Sequence, residues 1–315
     1  MTAARTHWAA ISESSFVGGM RLLFWICRVA GRWPFRVVLY SVLAWYVLAK
    51  PAARQASQRY LRRVDAFTPQ ASGWLGVLRH FGHFGEAILD KMLLWGGLFD
   101  TGAVHYSGLE PMKALLAERR GALLLCAHLG NADLCRVLSH SVSNLKLTVL
   151  VHTRHAKAFN DMLAALDPRS QMNLLQVTEM TPATAMMLAE RVARGEFVVI
   201  AGDRVPVSAG GRVARVPFLG AEAAFPVGPY VLASVLQCPL YALFSMRVGG
   251  AHEVHFELLQ ERVTLPRKAR EDALATLAAQ YAGRLQHHCL RAPLEWFNFY
   301  DFWQLPDLDS HDASR

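Results

Sequence analysis

Between residues 121 and 203 the chain alternates short apolar runs with amphipathic segments, and few architectures accommodate that rhythm. "GALLLCA" (121–127), "LKLTVLVH" (145–152), "MNLLQV" (172–177) and "FVVIAGD" (197–203) read as strands covered on both faces. Between them lie helical stretches such as "HAKAFNDMLAAL" (155–166). "TPATAMMLAERVARG" (181–195) carries its own punctuation, with Thr181 as N-cap, Pro182 at the first helical position and Gly195 past the end. Strict alternation of this kind predicts an α/β domain with a mostly parallel or mixed sheet flanked by helices.

Charge separates this body from what precedes it. Residues 1–63 hold ten Lys/Arg against the single acid Glu13, a net of +9 out of the chain's +8, so the other 252 residues net to −1. A nucleic-acid-binding body is disfavoured, because phosphate backbones require a basic footprint. Within the basic arm two apolar bursts rich in Trp and Tyr (Trp25, Trp33, Trp45, Tyr46) flank Arg28, Arg32, Pro34 and Arg36. The longer, Val37 to Ala49, has 13 residues, short of the ~20 that cross a hydrocarbon core as a straight helix. The expectation is a helix pair broken near Gly31–Pro34 and lying in a leaflet, its arginines reaching anionic headgroups; the alternative is a helical hairpin packed on the body. The organisation read from sequence is therefore an arm (1–63), a helical linker (64–100), an α/β domain (101–303) and a polar tail (304–315). Five cysteines without a C-x-x-C pair argue against a zinc site and a disulfide framework, and for a reducing setting.

The strand "GALLLCA" ends on His128, and Asp133 follows five residues later in "HLGNAD". Spacing alone proves little, since His105/Glu110 and His252/Glu257 repeat it. Context separates them. His252 and Glu257 fall on opposite faces of an alternating strand, and no strand delivers His105. His128 instead leaves the C-terminal end of a buried strand, where ligands gather in α/β sheets. Gly130 permits a tight bend, Asn131 suits an N-cap, and Asp133 falls in the first helical turn, from which its carboxylate can fold back to the imidazole. A carboxylate on one ring nitrogen frees the other as a general base. No G-x-S-x-G nucleophile elbow is present. The base would then activate the acceptor's own hydroxyl or amine for attack on a thioester, with oxyanion donors from the backbone near Asn131 and Ala132 or from Arg154.

"GALLLCAHLGNAD" resembles the H-x-x-x-x-D/E block of the lysophospholipid acyltransferase superfamily, in particular the branch holding the bacterial late acyltransferases of lipid A. "GEFVVIAGDRVP" and "GRVARVPFLGAEAAFPVGPYVLASVLQCPLYALF" resemble that branch's second region, and "EWFNFYDFW" is similar to the tail of a subgroup within it. The resemblance covers roughly residues 100–303. It implies an acyltransferase of the cytoplasmic face of a bacterial inner membrane, with an acyl-carrier-protein or acyl-CoA thioester donor, a membrane lipid acceptor, acyl carrier protein as partner and neither metal nor cofactor. Carried over, His128 matches the base, Asp133 its orienting acid, Arg154 the arginine after the next strand and Asp203 the second-region acid. Gly130, Asn131, Arg204, Phe225, Pro226 and Gly228 join them as substrate-binding candidates. Arg204 stands where the lipid A enzymes usually have glutamine, and Asp133 where they have glutamate, so the acceptor stays open. A non-lipid intermediate, such as a polyene or amino-acid-derived headgroup, and a non-catalytic lipid-binding scaffold of the same fold are the alternatives.

Overall fold

The computed structural model describes residues 25–69, 73–136, 146–151, 172–176, 181–205 and 212–304. The apolar runs form one seven-stranded sheet from β1 (Val104–Ser107), β2 (Leu123–Cys126), β3 (Leu147–Val151), β4 (Met172–Gln176), β5 (Phe197–Ala201), β8 (Leu240–Val248) and β9 (Ala251–Gln260). Their order across the sheet is β4-β3-β5-β2-β8-β9-β1. From β4 to β8 all neighbours are parallel; β9 turns back antiparallel to β8, and β1 runs parallel to β9. The β8–β9 turn is Gly249-Gly250, both at positive φ (58° and 92°), which suits a two-residue primed hairpin. A separate antiparallel hairpin joins β6 (Val213–Phe218) to β7 (Ala221–Pro226).

The helices are α1 (Arg32–Ala49), α2 (Pro51–Asp65), α3 (Trp74–Trp95), α4 (Leu109–Ala117), α5 (Pro182–Ala193), α6 (Gly228–Leu236) and α7 (Arg270–Arg291). In α5 the Thr181 hydroxyl accepts from Thr184 N–H at 3.2 Å, Pro182 opens the helix, and Gly195 follows its end at φ 89°. "HAKAFNDMLAAL" lies outside the described residues. Because the central strands are covered twice, their side chains alternate between two cores. Leu123, Leu125, Val198 and Ile200 face one; Leu124, Phe197 and Val199 face the other. Likewise His252 and Glu257 part company, His252 facing Asp90 of α3 and Glu257 facing His288 of α7, whereas His105, expected outside any strand, lies in β1.

Gly31 (φ 83°) breaks the chain ahead of α1, and Pro34 sits harmlessly in the first turn. A second, sharper bend of 99° falls at Lys50–Pro51, where the residue before a proline is pushed out of the helical region. Among the described residues no single helix is long and apolar enough to cross a membrane. One face of α1 (Phe35, Leu39, Val47) is buried, and α1 packs on α3; the opposite face leaves Trp33 and Trp45 76% and 68% exposed, with Val37, Val42 and Leu48 beside them. Arg32 and Arg36 of this arm keep side chains that are 40% and 47% exposed. They pair with the buried acids Asp90 (2.6 Å) and Glu86 (2.5 Å) of α3. Burying two carboxylates is costly without such partners, and that cost decides where the guanidinium groups go. Residues of α2 and α3, including Tyr60, Leu61, Val77 and Phe81, belong to the larger core.

Candidate active site

Strands β2 and β5 are parallel neighbours, with Cys126 opposite Ala201. Two residues beyond each strand end come His128 and Asp203, so register alone sets them side by side. The contact is close on two counts. His128 Nδ1 lies 2.8 Å from Asp203 Oδ1, and the His128 backbone N–H donates to Asp203 Oδ2 at 2.8 Å. The Trp296 indole N–H donates to the same Oδ2 at 2.9 Å.

Asp203 is fully buried, which by itself would raise its pKa. The charges of His128 and Arg204 and the two bonds from His128 outweigh that penalty and hold the carboxyl well below the usual carboxylate range. An ionised carboxylate only accepts, so Nδ1 carries the ring proton and the Nε2 lone pair is left over. The His128 side chain is 45% exposed, and Nε2 has no hydrogen-bond partner among the described residues. Tyr281 O–H steadies the end of β2 by donating to the Cys126 carbonyl at 2.8 Å. Burial pushes the Cys126 thiol up, which keeps it a thiol and not a nucleophilic thiolate.

Asp133, expected to fold back onto the imidazole, has its Oδ2 engaged by α3 instead. Its Oδ2 accepts from Trp95 Nε1 at 2.7 Å and pairs with Lys91 at 3.1 Å, both on α3. The reason is the course of the chain. Gly130 (φ 58°) bends so tightly that a Cβ there would lie 2.4 Å from the Ser245 carbonyl, and Asn131 then opens a short 3-10 turn (Ala132–Arg136) that presents Asp133 to α3. Asn131 does cap this turn, its Oδ1 accepting from Asp133 N–H at 3.2 Å. Its Nδ2 is buried without a partner among the described residues, beside a small pocket lined with charge by Asp90, Arg247, His252 and Glu295.

The other candidates divide. Arg204 is buried and its guanidinium serves the C-terminal segment, donating to the Phe297 carbonyl (2.9 Å) and Asn298 Oδ1 (3.4 Å) and lying 5.0 Å over the Tyr300 ring. Phe225 and Pro226 are buried, Phe225 against Phe218, Tyr281 and Phe302, while Gly228 is exposed where α6 begins. Arg154 lies outside the described residues.

Sequence reasoning missed Trp296. Its ring is fully buried, and its polar edge is aimed at Asp203. A Trp and an Asp separated by 93 residues leave no local signal. Also missed were Glu86, Asp90 and Glu295, buried behind the His128 loop and matched by Arg32, Arg36, Arg247 and His83. A hint existed: two acids four apart on a helix rich in apolar residues.

No curated protein matches the chain. The family model for bacterial lipid A biosynthesis acyltransferases matches residues 101–304, a span that contains both β2–His128 and β5–Asp203 as well as Trp296. The chain belongs to the bacterial lipid A biosynthesis acyltransferase family.

Proposed function

We propose that this acyltransferase moves a fatty acyl chain from an acyl-carrier-protein or acyl-CoA thioester directly to a hydroxyl or amine of a membrane lipid or glycolipid, with His128 as general base. The observation that carries the reading is the asymmetry of the imidazole: Nδ1 is fixed to buried Asp203, and Nε2, on a half-exposed ring, has no hydrogen-bond partner among the described residues. In the first step Nε2 takes the acceptor's proton as its oxygen or nitrogen forms a bond to the thioester carbon. The tetrahedral intermediate then expels the thiolate, which recovers that proton from the imidazolium and leaves as a free thiol. Asp203 holds the tautomer and offsets the transient positive charge; it does not itself need to take the proton.

The oxyanion requires donors. Gly130 N–H is engaged by the Glu295 carbonyl and Asp133 N–H by Asn131, so we assign the task to the backbone at Asn131 and Ala132 or to Arg154. Asp133, tied to Lys91 and Trp95, is read as fixing the turn that presents His128. This chemistry calls on no metal or cofactor. The exposed apolar face of α1 supports seating on the cytoplasmic face of a bacterial inner membrane, because Trp rings favour the headgroup boundary. The test is His128→Gln assayed for acyl transfer from both thioesters to an under-acylated lipid A. Loss of ~10²–10⁴-fold with an unchanged melting temperature supports the base; transfer near the wild-type rate by the folded variant rejects it and the proposed mechanism.

A further inference from the structure

We infer that Trp296 is a positioning residue of this reaction: its indole N–H fixes the carboxylate that fixes the imidazole. The inference rests on His128 acting as the base. Residues 295–298 run antiparallel beside the His128 loop, with Gly130 N–H donating to the Glu295 carbonyl (2.8 Å), Phe297 N–H to the His128 carbonyl (2.8 Å) and a single isolated bridge between Leu129 and Trp296. The base is thus gripped from both sides, by Asp203 through its N–H and by Phe297 through its carbonyl.

Asp203 spends Oδ1 on the imidazole and Oδ2 on two donors, the His128 N–H and the indole. The indole adds a third hydrogen bond to a carboxylate that His128 already holds through both oxygens, with the Arg204 guanidinium 3.7 Å from the same Oδ2. Trp296 can serve because it cannot move. Tyr60, Phe218 and Phe302 meet its ring edge-on at 5.0, 5.3 and 4.9 Å, and its carbonyl accepts from His80 Nε2 at 2.9 Å. Arg204, next in sequence to Asp203, pins the two residues after Trp296 through the Phe297 carbonyl and Asn298. A buried tryptophan must satisfy its indole N–H, and a backbone carbonyl suffices for that, as the Phe218 carbonyl does for Trp303. This one directs its polar edge at the carboxylate that orients the base.

Shape and hydrogen bond are separable. Replacing Trp296 with 3-benzothienylalanine keeps the ring outline and removes the donor; Trp296→Phe is the genetic counterpart, and Trp303→Phe, whose indole bonds the Phe218 carbonyl, controls for tail packing. The full chain in detergent is assayed with a long-chain acyl-CoA and under-acylated lipid A, following thiol release. The expected result is a fall in kcat of about 10- to 100-fold, the worth of one hydrogen bond to a charged group, with KM for the acyl-CoA held and the protein still folded at the assay temperature. The acid limb of the rate profile should move to higher pH, because Asp203 with one donor fewer holds an imidazolium more tightly. Unchanged kcat and pH profile in the benzothienyl protein overturn the inference. If the wild type itself transfers nothing, the functional reading has failed, and the downfield proton resonance of the His128–Asp203 hydrogen bond decides this one: displacement by the isostere upholds it, and an unmoved signal rejects it.

Discussion

His80 should make the stability of this protein depend on pH in a window that its own geometry defines. The ring is fully buried between α2 and the C-terminal segment, with Nε2 on the Trp296 carbonyl at 2.9 Å and Nδ1 on the Ser57 hydroxyl at 2.8 Å. A carbonyl only accepts, so Nε2 carries the proton and Nδ1 accepts from serine; both polar edges of a neutral imidazole are satisfied and a charged one is not wanted. Burial, opposed only by the Trp296 carbonyl, lowers its pKa from 6.5 to about 4. Above pH 6.5 folded and unfolded chains both carry neutral His80. Below it the unfolded chain binds a proton that the fold refuses until about pH 4, so stability falls as pH falls across that window. At 1.36 kcal/mol per pKa unit the full effect is roughly 3 kcal/mol, or about 1.4 kcal/mol per pH unit. The assay is urea unfolding of wild type and His80→Gln in mild detergent from pH 7.5 to 4.5. Glutamine can still donate to the Trp296 carbonyl, and the difference between the proteins cancels other titrating groups. The wild-type advantage should shrink with that slope as the solution is acidified. A difference that stays level across the window would refute the reasoning.

Three further outcomes follow from particular residues. Gly130→Ala should cost more than Gly249→Ala although both sit at φ 58°, because only Gly130 has backbone within 3 Å of the new Cβ; the second should lose only ~1–2 kcal/mol of left-handed strain, while the first also loses transfer activity, as urea melts and rate assays will show. Trp33→Ala with Trp45→Ala should weaken pelleting with anionic vesicles by ~10-fold or more, given about 1.5–3 kcal/mol for a large apolar side chain removed from water; binding as tight as wild type would place the membrane contact elsewhere. Charge reversal at Arg212 and Arg215, both exposed on or beside β6, should raise KM for acyl carrier protein with little change in kcat, and added salt should do the same to the wild type; indifference in a salt titration would reject an acidic carrier docked there.

The layered fold was legible because its signal is repeated. Four apolar runs with turns between them, and α5 with its own cap, proline and glycine, each specify an element locally, and parallel pairing follows. His128 was legible for the same reason, as the residue leaving a doubly covered strand. The carboxylate hydrogen-bonded to it was not, because Asp203 lies 75 residues away and is found only once β2 and β5 are known to be adjacent and in register. "FVVIAGD" and "GALLLCAH" each end in a titratable residue two places past the strand, and that parity is the signal a sequence reader could use. One pairing in the arm was not legible: Glu86 and Asp90, 50 or more residues on, each bond one of its arginines. Arg204 and the aromatic tail stood apart in sequence as two oddities. In space they are one feature, a guanidinium holding the segment that carries Trp296.

Which carboxylate serves the base is the central claim, and Asp203→Asn measured beside Asp133→Asn tests it most directly. Both proteins are first matched to wild type by melting temperature, then assayed for acyl transfer at saturating donor. An amide at position 203 can present its N–H to Nδ1 and favour the wrong tautomer, so kcat should fall by ~10²-fold or more. An amide at position 133 keeps an acceptor for Trp95 and loses only the Lys91 pair, so its loss should be the smaller. The reverse order, with Asp203→Asn near wild type and Asp133→Asn inactive, would contradict the account.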